Sequence, residues 1–127
     1  MPFKHIVDNE KNIVVLKAIG KVSLTNIINE IEEANVTLRG DGIRRRLIDM
    51  TNQEISFSHS DAQLILKMIN TSSKMLGYKR IAILVKDLPE HLEIKQLISG
   101  FENHNVEIEL FTDKAKAAQF LSSPYKK

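Results

Sequence analysis

Four times in this 127-residue chain, an apolar run of strand character passes within a few residues into an amphipathic segment that opens on a capping residue. The last instance is the clearest. Glu109-Leu110-Phe111 leads into Thr112-Asp113-Lys114, so that Phe111 closes a strand and Thr112 or Asp113 caps a helix. Ala115, Ala118 and Leu121 then recur three apart on one expected helical face. A chain organised this way folds as alternating strands and helices, and right-handed crossovers make the joined strands parallel.

The start of the chain differs. His5-Ile6-Val7 and Ile13-Val14-Val15-Leu16-Lys17-Ala18-Ile19 read as strands separated only by the polar turn Asn9-Glu10-Lys11-Asn12, a link short enough to demand an antiparallel hairpin. Gly20-Lys21-Val22 follows, and Ser23 caps a helix whose stripe is Leu24, Ile27, Ile28, Ile31 and Ala34. Arg39-Gly40-Asp41-Gly42 breaks that helix. Arg45 to Met50 is the third strand. The second helix begins near Ser58 or Ser60, where Ser60-Asp61-Ala62-Gln63 matches a capping box, and it turns Ile65, Met68, Ile69, Ser72, Met75 and Leu76 inward. Arg80 to Val85 is a nearly unbroken apolar run, as in a strand covered on both faces. Asp87-Leu88-Pro89-Glu90 opens a third helix with Leu92, Leu97, Ile98 and Phe101 on its inner face, and Val106 to Phe111 alternates apolar and acidic residues like an edge strand.

The predicted order is therefore ββαβαβαβα. It specifies an α/β fold with a five-stranded mixed sheet, an N-terminal antiparallel hairpin followed by parallel βα units, and four helices. One domain spans 1–127, with 122–127 as a tail. The expected core contains Ile27, Ile31, Leu47, Ile65, Ile69, Ile81, Ile83, Leu97, Phe101 and Leu121.

Composition removes several function classes. The chain has no cysteine, hence no thiolate nucleophile, disulfide or Cys-based zinc site. A formal net charge of +2 does not argue for nucleic acid. No stretch has the length of a membrane span, and the N-terminus lacks a signal-peptide pattern, so the expected location is the cytoplasm. His5, His59, His91 and His104 include no metal-binding i, i+4 pair. There is no phosphate-binding glycine loop and no nucleophile elbow, and adjacent residues such as Ser58 and His59 at a helix cap do not aim at each other. Asp49, Asp87 and Asp113 end strands, but Gly20-Lys21 stands where an acidic metal pocket needs its acids. No enzyme activity, metal or cofactor is expected. Arg39, Arg44, Arg45 and Arg46, with Lys79 and Arg80, form the densest positive cluster. It reads as a solvated strand start balanced by Glu30, Glu32, Glu33 and Asp41.

The element order, the strand end Leu47-Ile48-Asp49-Met50-Thr51 and the terminal pattern of Phe111, Asp113, Ala117 and Leu121 resemble the STAS group, the sulphate-transporter and anti-sigma-factor-antagonist domains, and its looser bacterial relatives. In antagonist members a serine or threonine two residues after an aspartate, at the end of the third strand, is phosphorylated by a partner kinase and reset by a phosphatase. Asp49 and Thr51 match that pattern. The family's next glycine is replaced by Asn52, and the polar segment Gln53 to Ser58 delays the helix, which points to the looser relatives.

The resemblance implies a non-catalytic regulatory domain that binds another protein, such as a regulatory kinase or phosphatase, through Asp49, Thr51, Asn52, Ser58 and His59. The alternative is a module that holds a small apolar or anionic ligand between the second helix and the sheet. For an anion, Ser23, Lys86 and Thr112 are the candidate rim residues, because strand carboxyl ends and helix N-termini gather there. A weak homodimer is expected through the second helix, whose Leu64, Leu66 and Met75 widen its apolar surface, or through the hairpin edge.

Overall fold

The computed structural model describes residues 3–8, 10–37, 44–52, 58–76, 79–87, 92, 95, 96, 98 and 106–123, with only the backbone described at 34–37, 59, 73, 75 and 76. Among them are five strands and three delimited helices: β1 (Phe3–Asp8), β2 (Ile13–Ala18), α1 (Leu24–Thr37), β3 (Arg45–Asp49), α2 (His59–Leu76), β4 (Arg80–Leu84), β5 (Glu107–Phe111) and α3 (Lys114–Ser122). Of the helix expected between β4 and β5, Leu92, Lys95, Gln96 and Ile98 are described and have helical backbone. Leu97 and Phe101 lie outside the described residues.

The sheet runs β1-β2-β3-β4-β5, with β1 antiparallel to β2 and every later pair parallel. The five-stranded mixed sheet expected from the sequence is thus present. Each crossover from β2 onward steps in the same direction. Right-handed connections must then put their helices on one face, and α1 and α2 indeed pack together. α3 follows the last strand and packs on the other face, against β3, β4 and β5.

Alternation along the strands fills both faces. Leu16, Ile48, Ile83 and Leu110 share a cross-strand row on the α1/α2 side. Ile31, Ile69 and Ile81 join the same layer. On the opposite face Leu47, Ala82 and Leu84 meet Ala117 and Leu121 of α3. Of the expected core, Ile31, Leu47, Ile69, Ile81 and Leu121 are buried, and Ile27, Ile65 and Ile83 are partly buried.

The chain closes its turns with specific residues. Asn12, at φ 57, takes the left-handed conformation in the hairpin, and its Oδ1 accepts the Arg44 N–H at 2.6 Å, tying the turn to the start of β3. Gly20, at φ 65, makes the exit from β2 in a conformation that favours glycine. Ser23 caps α1 reciprocally with Asn26. Its Oγ accepts the Asn26 N–H at 3.2 Å, while Asn26 Oδ1 accepts the Ser23 N–H at 3.0 Å.

One open alternative is decided and two local expectations are corrected. The cap of α2 is Ser58 rather than Ser60: Ser58 Oγ accepts the Asp61 N–H at 3.1 Å, and its carbonyl accepts the Ala62 N–H at 3.0 Å. This frame places the charged Asp61 in the first turn, where the helix dipole favours it. In α3 the buried residues are Ala117 and Leu121, four apart, while Ala115 and Ala118 are exposed. That rotation lets Phe120 meet Phe111, with ring centroids 5.4 Å apart. Finally, Leu66 is not extra surface on α2. It is buried with Ala62 and Ile69, and Leu64 alone of the leucine pair is exposed.

Candidate functional site

Strand β3 ends in a tight hook. Asp49 points away from the α1/α2 face, Met50 points into it, and the chain turns at Thr51 and Asn52. One carboxylate oxygen, Asp49 Oδ1, accepts both the Thr51 N–H at 3.0 Å and the Thr51 hydroxyl at 2.6 Å. An aspartate folding back on the backbone two residues ahead is a self-contained turn, and the charged acceptor strengthens both bonds. The Asn52 side-chain amide donates to the Ala18 carbonyl at 2.7 Å, pinning the hook to the end of β2. Met50 N–H donates to the Leu84 carbonyl at 2.8 Å, pinning it to β4. Thr51 is half-buried, so its hydroxyl is presented on a fixed frame.

The other sequence-derived candidates are spread along the same carboxyl edge. Ser58 is exposed and spends its hydroxyl on the α2 cap. His59 is the first residue of α2, and its side chain lies outside the described residues, as do residues 53–57. Ser23 is occupied in the α1 cap. Lys86 is half-buried beyond β4, and Thr112 is exposed beyond β5. Strands are spaced about 4.8 Å apart. With β3 and β4 between them, the ends of β2 and β5 stand roughly 14 Å apart. Ser23 and Thr112 therefore belong to a long edge rather than to one small pocket.

A second feature lies between α2 and the sheet, where the alternative ligand module was expected. Between the sheet and α1/α2 lies a cavity of about 120 Å³, walled mainly by apolar side chains including Phe3, Leu16, Ile48, Leu66 and Ile98. Two charged residues share that lining, Glu30 and Arg46, only 6% and 3% exposed. His5 Nε2 lies 2.5 Å from Glu30 Oε1. The sequence reading assigned Glu30 and Arg46 to a solvated charge balance, and the structure overturns it. The available signal was phase. Glu30 falls three residues after Ile27 on the buried stripe of α1, and Arg46 shares the parity of Ile48 and Met50 in β3.

Arg80 is corrected in the same way. It is 3% exposed, its Nε donates to Glu107 Oε2 at 2.7 Å, and its guanidinium donates to the carbonyls of Phe120 and Ser123. Its charge lies 5.3 Å from the centroid of the Phe120 ring. The arginine fastens the end of α3 to the sheet instead of forming a surface patch.

No helix among the described residues is long and apolar enough to cross a membrane. No family model matches the sequence, and no curated protein matches it either. The chain is similar to the crystal structure of an uncharacterised protein of the DUF3478 family with a SpoIIAA-like fold, from Shewanella loihica PV-4. The two are 21% identical with a TM-score of 0.55, and the match covers 94% of this chain and 91% of that one. At that identity the likeness is one of architecture, and it agrees with the STAS-like order of elements: this chain has a SpoIIAA-like fold.

Proposed function

We propose that this protein is a non-catalytic, cytoplasmic regulatory domain, similar to the anti-sigma-factor antagonists, that binds another protein through the carboxyl edge around Asp49, Thr51 and the start of α2. The observation that carries this reading is the 2.6 Å bond from the Thr51 hydroxyl to Asp49 Oδ1. It holds a modifiable hydroxyl at the end of a central strand, on a hook tied to strands on both sides. The shape of the edge supports a macromolecular partner. Small ligands of open parallel sheets collect where strand order reverses and a crevice opens, and here the order never reverses.

A phosphate on Thr51 would bring roughly two negative charges at neutral pH against the carboxylate that now accepts its proton. The hook would open, while the nearby N-terminus of α2 attracts the new charge. A kinase and a phosphatase acting on Thr51 would thus change a contact surface without rebuilding the core. The test is phosphosite mapping on protein from its native cell, together with partner capture using Thr51→Ala and Thr51→Glu. The expected result is a modified Thr51 and a partner lost with one variant and kept with the other. An unmodified Thr51, with both variants holding the same partners as wild type, overturns the switch.

A second reading rests on the cavity. An apolar hollow of this size accommodates a small apolar molecule, and Met50, inside the hook sequence, forms part of its wall. Native mass spectrometry of protein purified without denaturation separates the two readings. A copurified small molecule, lost when Ala62→Leu fills the hollow, favours the ligand module.

A further inference from the structure

The two edges of the sheet carry opposite instructions for pairing. On β5, Glu107 and Glu109 point to the same face. An antiparallel pairing of β5 with a second copy, centred on Ile108 or on Glu109, sets glutamate against glutamate. Both of those registers are thus disfavoured, and centring on Leu110 sets Glu109 against Phe111. The edge at β1 is different. Its sequence is Phe3-Lys4-His5-Ile6-Val7-Asp8, and Lys4, Ile6 and Asp8 share the face that α3 leaves uncovered at this end of the sheet. Ile6 is 45% exposed.

We propose that β1 pairs antiparallel with β1 of a second copy, about a two-fold axis through Ile6, to join the two sheets. A two-fold axis perpendicular to the sheet places residues of the same face opposite each other, so only registers centred on a residue are allowed. Centring on His5 puts Lys4 against Ile6, and centring on Val7 puts Ile6 against Asp8. Centring on Ile6 sets Ile6 against the second copy's Ile6, and Lys4 against its Asp8, twice by symmetry.

The neighbouring strand favours that register. Lys4 stands opposite Lys17 of β2, a like-charge cross-strand pair, and Lys17 stands opposite Asp49 of β3. Such a pair is destabilising by itself. The second copy's Asp8 extends the row to acid, lysine, lysine, acid. Ile6 stands opposite Val15, and Val15 opposite Leu47, so the apolar row of each copy meets its twin at the axis. The Asp8 carboxylate accepts the Lys11 N–H through Oδ1, at 3.1 Å, which fixes it at the strand end. One strand of six residues is a small contact, of the size of weak, transient interfaces.

The test uses sedimentation velocity up to about 1 mM on the intact chain. Wild type is expected to dimerise, and Lys4→Asp to weaken the dimer about tenfold, because the reversed charge counts twice. Combining Lys4→Asp with Asp8→Lys is expected to restore it to within about threefold of wild type. A chain without cysteine also permits a direct probe. Identical residues facing each other across an antiparallel pair approach the span of a disulfide. Ile6→Cys is therefore expected to cross-link on mild oxidation far faster than Val7→Cys or Leu64→Cys, both exposed apolar positions. A wild type that stays monomeric, a Lys4→Asp chain that dimerises unchanged, or cross-linking faster at Leu64→Cys than at Ile6→Cys overturns the proposal.

Discussion

Glu30 is a carboxylate held almost out of water on a helix stripe that otherwise turns isoleucine inward. A buried charge is tolerated where a partner meets it, and His5 reaches it from the edge strand across 2.5 Å. His5→Leu removes that close contact and is expected to lower stability by about 1–3 kcal/mol, the range for a buried polar group that loses its polar neighbour. Adding Glu30→Met to His5→Leu replaces the pair with apolar groups, and stability is expected to return to within about 1 kcal/mol of wild type. Urea unfolding of the three proteins checks both steps. Neither residue was legible as a pair, because the contact joins positions 25 apart in sequence, counted from the numbers 5 and 30. Asp49 and Thr51 were legible because their bond is local: an aspartate two residues before a threonine at a strand end describes its own turn. Their role toward a partner was supplied only by resemblance.

At the scale of elements, caps and periods carried most of the reading, and rotation about helix axes carried its errors. Ser23 and Asp113 cap where the sequence places them, the Asp113 carboxylate accepting the Ala115 N–H at 2.8 Å. The face of α3 is set instead by what Phe120 and Leu121 must touch, and a short alanine-rich helix offers little periodic contrast to reveal that. Arg80 supplies the other determinant. It binds two carbonyls at the end of α3, more than 39 residues away, and a strand-initial arginine gives no sign of such distant partners. Lysine keeps the charge but loses the planar fork. Arg80→Lys is therefore expected to cost about 2–3 kcal/mol and to speed amide exchange selectively in the last turn of α3. Hydrogen exchange read residue by residue distinguishes this from a general loosening. Asp113→Ala is expected to cost about 1 kcal/mol and to fray the opposite end of the same helix.

For the molecule as a whole, alternating strand and helix patterns sufficed for the five-stranded mixed sheet, whereas the common face of α1 and α2 follows only once the strand order is known and the rule of handedness is applied to it. The place of a cavity between α2 and the sheet was an open alternative in the sequence, but its size and its charged lining were not readable, because packing gaps depend on side-chain fit in three dimensions. Filling it tests that fit. Ala62 lines the hollow from α2, and Ala62→Leu keeps good helix propensity. Cavity volume costs about 24 cal/mol per Å³. Partial filling should therefore add roughly 1 kcal/mol and raise the melting temperature by about 4 °C, read by calorimetry on protein freed of small molecules. The unbroken strand order has another consequence, for synthesis. Each strand pairs with the one translated just before it, so a nascent chain extends an existing edge and never inserts a strand between two already joined. The face beneath α1 and α2 is covered as translation proceeds. The opposite face, with Leu47, Ala82 and Leu84, waits for Ala117 and Leu121, which are translated after all five strands. Until then the ribosome holds out a sheet with one bare apolar side, and that interval is when a chaperone has most to bind.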